Sequence, residues 1–341
     1  MTNIRSKQII EKAPLILEEI KKAKSILLHC HPMPDPDSVG SALAMKFVLE
    51  GMGKKVTVIE GDSALPEGFK HFPGAGDIIK KKFLETDLSS FDLFISLDSA
   101  QIQMITRRGE VIFPEGLKVI AIDHHTTNGM YGSINLVDSS YPANCQLLFD
   151  LFEEWGINMT PDISANLFIG IYADTGGFRY PGTNARTYFI AGKLVEMIPD
   201  VSALIGGMMN SNSPEFIALM AEGLRSIEVY FDRFAISSIP LSFLNQKKIP
   251  ISEVRASEIA SYMSSVANWD IVASAVEIEV NKVKFSFRSK DGEKYDVAKL
   301  AATMGGGGHK AASGLILSLP LNDAKELVVS KIKELYNVTN V

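Results

Sequence analysis

The chain has 341 residues, of which 46% are hydrophobic and 22% charged; single cores stop growing at roughly 250 to 300 residues, so two domains are expected. Lys and Arg number 34 against 40 Asp and Glu, a net charge of −6, which speaks against a protein that grips long nucleic acid through a general basic field. Only Cys30 and Cys145 occur, without a CxxC pairing, and no apolar run approaches the roughly 18 to 20 residues of a membrane span, so a disulfide framework and a membrane anchor are both disfavoured.

In chain order, residues 1–24 read as a charged amphipathic helix without the apolar centre of a signal peptide, and a cytoplasmic location is expected. Strand-like runs follow at "SILLHC" (25–30), "KKVTVIE" (54–60), "DLFISLD" (92–98) and "LKVIAID" (117–123). Between the first two lies a helix that Ser38 can cap and the glycines at 51 and 53 can end. Strands alternating with helices predict an α/β domain with a mainly parallel sheet flanked by helices. The pattern stays helical to about 230, then turns β-like at "RFAISSIPL" and "WDIVASAVEIEVNKVKFSFRS", followed by "GGGGHKAASG" and a last helix over about 321–336. The expected organisation is a first domain over 1–200, a helical linker over 200–230 and a smaller α+β domain over 231–341, with the active-site cleft between the two.

Ligands of parallel sheets lie beyond the carboxyl ends of the strands. His31, Asp35 and Asp37 in "HPMPDPD", Asp98 in "SLDSA", Asp123, His124 and His125 in "AIDHHTTN", and Asp174 in "YADTGGF" are all expected at that edge. Taken singly, such an Asp reads as a helix cap or turn residue, and such a His as a satisfied polar group. Their coincidence at one edge points to a metal centre, and the number of ligands suits two ions. Oxygen-rich ligation with a few imidazoles favours Mn²⁺ or Mg²⁺, with Mn²⁺ the expected ion. Pro32, Pro34 and Pro36 fix backbone angles and so hold the ligands in place before binding. His29 and Cys30 belong to the strand and are assigned no chemistry.

The glycines Gly305, Gly306, Gly307 and Gly308 expose backbone N–H groups that a phosphate can approach, and a following helix would add a positive dipole end. His309 and Arg288 would add charge-assisted bonds.

"HPMPDPDSVGS", "SLDSA", "AIDHHTTN" and "ADTGGFRY" resemble the four successive motifs of the DHH phosphoesterases, and "FRSKDG" with "GGGGHKAASG" resembles their DHH-associated C-terminal domain, together spanning about residues 25–315. The length resembles the small oligoribonuclease type, also active on 3′-phosphoadenosine 5′-phosphate, more than the larger RecJ exonucleases; family II pyrophosphatases share only the first lobe. The resemblance implies that His31, Asp35 and Asp98 bind one Mn²⁺ and that Asp37, Asp98, His124 and Asp174 bind the other, with Asp98 bridging. It further implies that Asp123 orients the histidine pair, that His125 faces the scissile phosphate, and that Arg288, Ser289, Gly305, Gly306, Gly307, Gly308 and His309 grip the far end of the substrate. Two departures stand out: Pro36 replaces a common Gly, and Met33 a common Asn. Neither is a ligand, so no loss of metal is expected.

The implied activity is hydrolysis of two- to five-nucleotide RNAs or linear dinucleotides such as pApA to nucleoside 5′-monophosphates, with 3′-phosphoadenosine 5′-phosphate as a second substrate. The alternatives are a cyclic di-AMP phosphodiesterase, an exopolyphosphatase or pyrophosphatase, and a non-catalytic nucleotide sensor. The partners expected are therefore a short RNA or small nucleotide, neither long nucleic acid nor membrane, and a second copy of the chain in a homodimer.

Overall fold

The computed structural model describes residues 6–180, 182–209 and 212–337, and the chain divides into two compact units, Met1–Ser211 and Asn212–Val341. None of the helices among the described residues is long and apolar enough to cross a membrane.

Unit 1 opens with α1 (Lys7–Lys22), β1 (Ser25–His29), α2 (Pro36–Gly51) and β2 (Lys55–Ile59). Next come β3 (Leu93–Leu97), β4 (Lys118–Asp123) and β5 (Ile134–Val137), and then α3 (Asn144–Glu154), α4 (Pro161–Asp174), α5 (Ala185–Val195) and α6 (Val201–Met209). The five strands form one sheet in the order β2-β1-β3-β4-β5, and every pair is parallel. All five residues of "LFISL" in β3 are buried, as a strand covered on both faces requires. Ile26, Leu28, Ile95, Leu97, Ile120 and Ile122 share the helical core with α1 to α5. Leu27, Phe94 and Val119 turn the other way and pack with Ile59, Phe83 and Ile105, beneath short 3-10 segments such as Phe83–Glu85 and Ile102–Met104. The strand order changes direction beside β1, so the loops leaving β1 and β3 part there and open the crevice at which such sheets bind ligands.

Helix α2 begins at Pro36, two residues before Ser38, and this corrects the expected cap. Asp35 is the N-cap, accepting from Ser38 N at 2.9 Å, and Pro36 takes the first helical position, where its missing N–H costs nothing. The Ser38 hydroxyl accepts instead from His31 N, at 3.0 Å.

Unit 2 contains α7 (Pro214–Arg225), β6 (Glu228–Tyr230), β7 (Phe234–Ile239), α8 (Leu241–Lys247), α9 (Ala256–Met263), β8 (Ile271–Glu279) and β9 (Lys282–Ser289). α10 (Val297–Ala302), β10 (Gly307–His309), β11 (Ala312–Leu317) and α11 (Leu321–Tyr336) complete it. Its sheet runs β10-β11-β9-β8-β7-β6, antiparallel except between β7 and β8. Phe234, Phe285 and Phe287 pack with α10 and α11 on one face; Val272 and Val276 pack with α9 and with Phe216 and Leu219 of α7 on the other. The segment 200–230 is thus divided, with α6 in unit 1 and α7 within the core of unit 2.

Candidate metal centre

The loop after β1, the ends of β3 and β4, and the last turn of α4 bring the predicted ligands together. His31 Nε2 lies 3.1 Å from Asp35 Oδ2 and 3.8 Å from Asp98 Oδ2. His124 Nε2 lies 3.4 Å from Asp98 Oδ1, 3.4 Å from Asp174 Oδ2 and 3.9 Å from Asp37 Oδ2. Asp98 therefore turns one oxygen toward each group. His31, Asp35 and Asp98 could hold one ion and Asp37, His124 and Asp174 another, while Asp98, His124 and His125 form a third, overlapping set. Asp174 comes from a helix end; its expected place at a strand end is corrected accordingly.

The donor set fits a cation for a specific reason. His124 Nδ1 sits 3.1 Å from the Tyr141 carbonyl, to which it can only donate, so the lone pair of the neutral ring is on Nε2, facing three carboxylates. His124 Nε2 and Asp98 Oδ1, 3.4 Å apart, are both buried without a hydrogen-bond partner. Burial of such atoms is costly unless something satisfies them, and among carboxylates that something is positive. Burial first, then the neighbouring carboxylates Asp37, Asp35 and Asp123, pushes the Asp98 carboxyl well above the usual range. Asp174 is pushed up to about 9, by burial first and then by Asp37 and Asp98. Divalent ions relieve this repulsion directly.

Local structure is bent to the task. Asp98 has φ 53°, a left-handed conformation that an Asp adopts at some cost and that tends to mark functional sites. Asp37 is fully buried and accepts from the backbone N–H groups of Asn144 (2.6 Å) and Cys145 (2.9 Å), so it caps α3 from a different helix. Its space depends on Gly170, where a Cβ would meet Cys145 Sγ at 2.3 Å and Asp37 Oδ1 at 2.7 Å.

Asp123 accepts from His125 Nδ1 at 2.8 Å and from Asn128 Nδ2 at 2.7 Å. Burial alone would raise its pKa, but these partners outweigh it and hold the carboxyl below its ordinary value. The His125 side chain is 45% exposed, with its Nδ1 fixed on Asp123. Asn128, the last residue of "AIDHHTTN", is a functional partner that sequence reasoning missed; its position five residues after Asp123 is the signal that could have found it. His29 contacts Cys30 O and Ser96 Oγ, each at 3.0 Å, and burial lowers its pKa to about 3, so it is a neutral strand residue.

In unit 2, His309 pairs with Ala312 and Ala312 with Arg288 in adjacent strands, which puts His309 and Arg288 on one face of the sheet. Arg288 Nε lies 3.2 Å from Ser261 Oγ. Ser289, the next residue along β9, points to the opposite face and is 9% exposed. The glycine run is followed by a hairpin and β11, so the expected helix after it is absent. Gly305 has φ 81° after α10. A Cβ on Gly306 would lie 2.4 Å from the Leu315 Cβ, and one on Gly308 2.6 Å from the Ala312 carbonyl oxygen, whereas Gly307 has open space.

Residues 25–171 match the DHH family N-terminal domain and residues 241–337 the DHHA1 domain. The chain belongs to the DHH phosphoesterases, hydrolases that act on phosphate ester bonds. Within that family it is 27% identical to the bifunctional oligoribonuclease and PAP phosphatase NrnA of Thermus thermophilus, over 95% of this chain and 94% of the relative. It is 24% identical to the protein of the same name from Bacillus subtilis, over 88% of this chain and 91% of the relative. An exopolyphosphatase-related protein from Bacteroides fragilis shares the fold, with a TM-score of 0.86 at 23% identity, covering 99% of this chain and 100% of that one.

Proposed function

We propose that this chain hydrolyses short oligoribonucleotides and linear dinucleotides to nucleoside 5′-monophosphates, and 3′-phosphoadenosine 5′-phosphate to AMP and phosphate. The observation that carries the reading is Asp98, whose two oxygens face separate His–Asp groups 3.8 and 3.4 Å away; the substrate class follows the names of the relatives. His31, Asp35 and Asp98 would hold one divalent ion and Asp37, Asp98, His124 and Asp174 the second, with Mn²⁺ favoured by oxygen-rich ligation. When bound, such ions neutralise phosphate charge and make water a better nucleophile.

The chain's own residues supply orientation and a proton. The Tyr141 carbonyl fixes the His124 ring. Asp123 fixes His125 through Nδ1, as a carboxylate behind an imidazole orients the ring in other hydrolases. His125 Nε2 then donates to the departing oxygen: the P–O ester bond breaks, that oxygen takes the proton, water supplies the new oxygen on phosphorus, and the proton released by that water restores Nε2. Arg288 and His309 are proposed to hold a phosphate of the substrate remote from the cleaved bond, with Gly307 offering close backbone approach and Ser289 supporting the strand from the other face.

The test is a panel with Mn²⁺: a dinucleotide, a 20-nucleotide RNA, 3′-phosphoadenosine 5′-phosphate, cyclic di-AMP and inorganic polyphosphate at equal concentration. The dinucleotide and 3′-phosphoadenosine 5′-phosphate should be consumed fastest, with AMP as product, and a chelator should stop both. Polyphosphate breakdown with the dinucleotide left intact would overturn the assignment.

A further inference from the structure

Arg107 and Arg108 are both exposed, yet only one of them is neutralised. Asp62, in the loop after β2, gathers the segment that carries them: its Oδ1 accepts from Thr106 Oγ1 at 2.8 Å, its Oδ2 from Arg107 N at 2.7 Å, and its carbonyl from Arg108 Nη2 at 2.7 Å. Arg108 Nε also approaches Asp62 Oδ1 at 3.7 Å, so the charge of Arg108 is spent on Asp62. The guanidinium of Arg107 points elsewhere. Nη1 lies 3.8 Å from Met33 Sδ and Nη2 3.6 Å from Met104 Sδ, and among the described residues no carboxylate forms an ion pair with it. Thioether sulfur is a weak acceptor, so the two methionines orient the fork without neutralising it.

Met33 lies two residues from both His31 and Asp35, and its loop is braced by the same β2 loop, since Ser63 N donates to Pro32 O at 2.9 Å. Gly61 is pressed so close to His31 that a Cβ would fall 2.0 Å from its carbonyl oxygen. Asp62 therefore fixes Arg107 against the ligand loop itself. A cation there has a clear use: the five aspartates Asp35, Asp37, Asp98, Asp123 and Asp174 carry one more negative charge than two divalent ions bring, so an anionic substrate meets a centre that metals alone do not make positive.

We infer that Arg107 is a substrate-binding residue that takes a phosphate oxygen of the nucleotide by charge-assisted hydrogen bonds, and that Asp62 is the residue that positions it. Resting on the proposed nucleotide hydrolysis, this adds the cation that unit 1 contributes to substrate binding and explains what Met33 does in place of the more common Asn: an amide oxygen would compete for the guanidinium, and a thioether does so weakly.

The experiment compares wild type with Arg107→Ala, Arg108→Ala, Asp62→Ala and the Asp62→Ala/Arg107→Ala double variant, using ApA and pApA as substrates and AMP binding by calorimetry as a readout without turnover. Arg107→Ala should raise KM and weaken AMP binding on the order of 10- to 100-fold, the scale of a lost charge-assisted bond, with kcat changed far less. Arg108→Ala should change both less than about threefold. Asp62→Ala should reproduce most of the Arg107 defect, and the double variant should be no worse than Arg107→Ala, because the two residues act in series. An unchanged rise in melting temperature on adding Mn²⁺ will show that each variant is folded and keeps its metal centre. A defect on both substrates places Arg107 on the cleaved phosphate, and a defect on pApA alone places it on the terminal one. Wild-type constants for Arg107→Ala on both substrates, with nucleotides still hydrolysed, would overturn the inference and leave the proposed function standing. A wild type inactive on every nucleotide would instead remove the proposed function and this inference with it.

Discussion

The two candidate binding regions differ in how firmly the fold holds them. In unit 1 the ligands His31, Asp37 and Asp98 are buried, Asp98 sits in a costly backbone conformation, Asp37 doubles as the cap of α3, and the ligand atoms His31 Nδ1, Asp98 Oδ1 and His124 Nε2 lack hydrogen-bond partners. Each is an expense that folding alone would remove. In unit 2 His309 is exposed on an edge strand, Arg288 rests on Ser261, and three of the four glycines have conformational or packing reasons to be glycine. A site that costs stability is built for a strong ligand, whereas one that costs little is suited to an adjustable grip. Chemistry is accordingly expected to reside in unit 1 and substrate affinity to be shared with unit 2.

That contrast can be broken in order of effect. Asp98→Ala should lower turnover on the order of 1,000-fold or more, with the circular dichroism spectrum retained, since it removes the carboxylate that both groups share; retained activity would remove its bridging role. Asn128→Ala, which leaves Asp123 with one partner fewer, should lower kcat about 10- to 100-fold, in line with losses seen when groups behind a ligand are removed. Gly170→Ala gains up to about 1 kcal/mol in helix propensity but forces a methyl group against Cys145 and Asp37, so a net loss of about 1 to 3 kcal/mol is expected in chemical denaturation. His309→Ala should raise KM about 10-fold while leaving kcat and melting temperature close to wild type. Gly307→Val should melt normally and raise KM only a few-fold; no change in KM would leave the glycine run with a purely structural role.

Much of unit 1 was legible in the sequence. β1, β3 and β4 were visible because strands buried on both faces read as largely unbroken apolar runs, the edge strand β2 because of its β-branched residues, and the ligands of unit 1 other than Asp174 because they close such a run or lie in the loop and helix start that follow it. What escaped detection is tertiary. The capping of α3 by Asp37 links residues more than a hundred positions apart, and Asp98, in its left-handed conformation, is tied to the neighbouring strand by its N–H bond to the Ile122 carbonyl at 3.0 Å. The short strands β5, β6 and β10 carry too few residues to show a period. One miss was avoidable: the two-residue alternation of "SFRS" already puts Arg288 and Ser289 on opposite faces. The helix expected after the glycines failed for a related reason, because "HKAASGLIL" contains both a turn and an alternating strand, and the small residues at its start masked the alternation.

The central claim, a two-ion centre bridged by Asp98, is tested most directly by counting Mn²⁺ bound per chain in calorimetric titration of the metal-free protein. Two equivalents are predicted for wild type, with Asp98→Ala losing at least one of them while remaining folded. A wild-type protein that saturates at one equivalent or none would contradict the account.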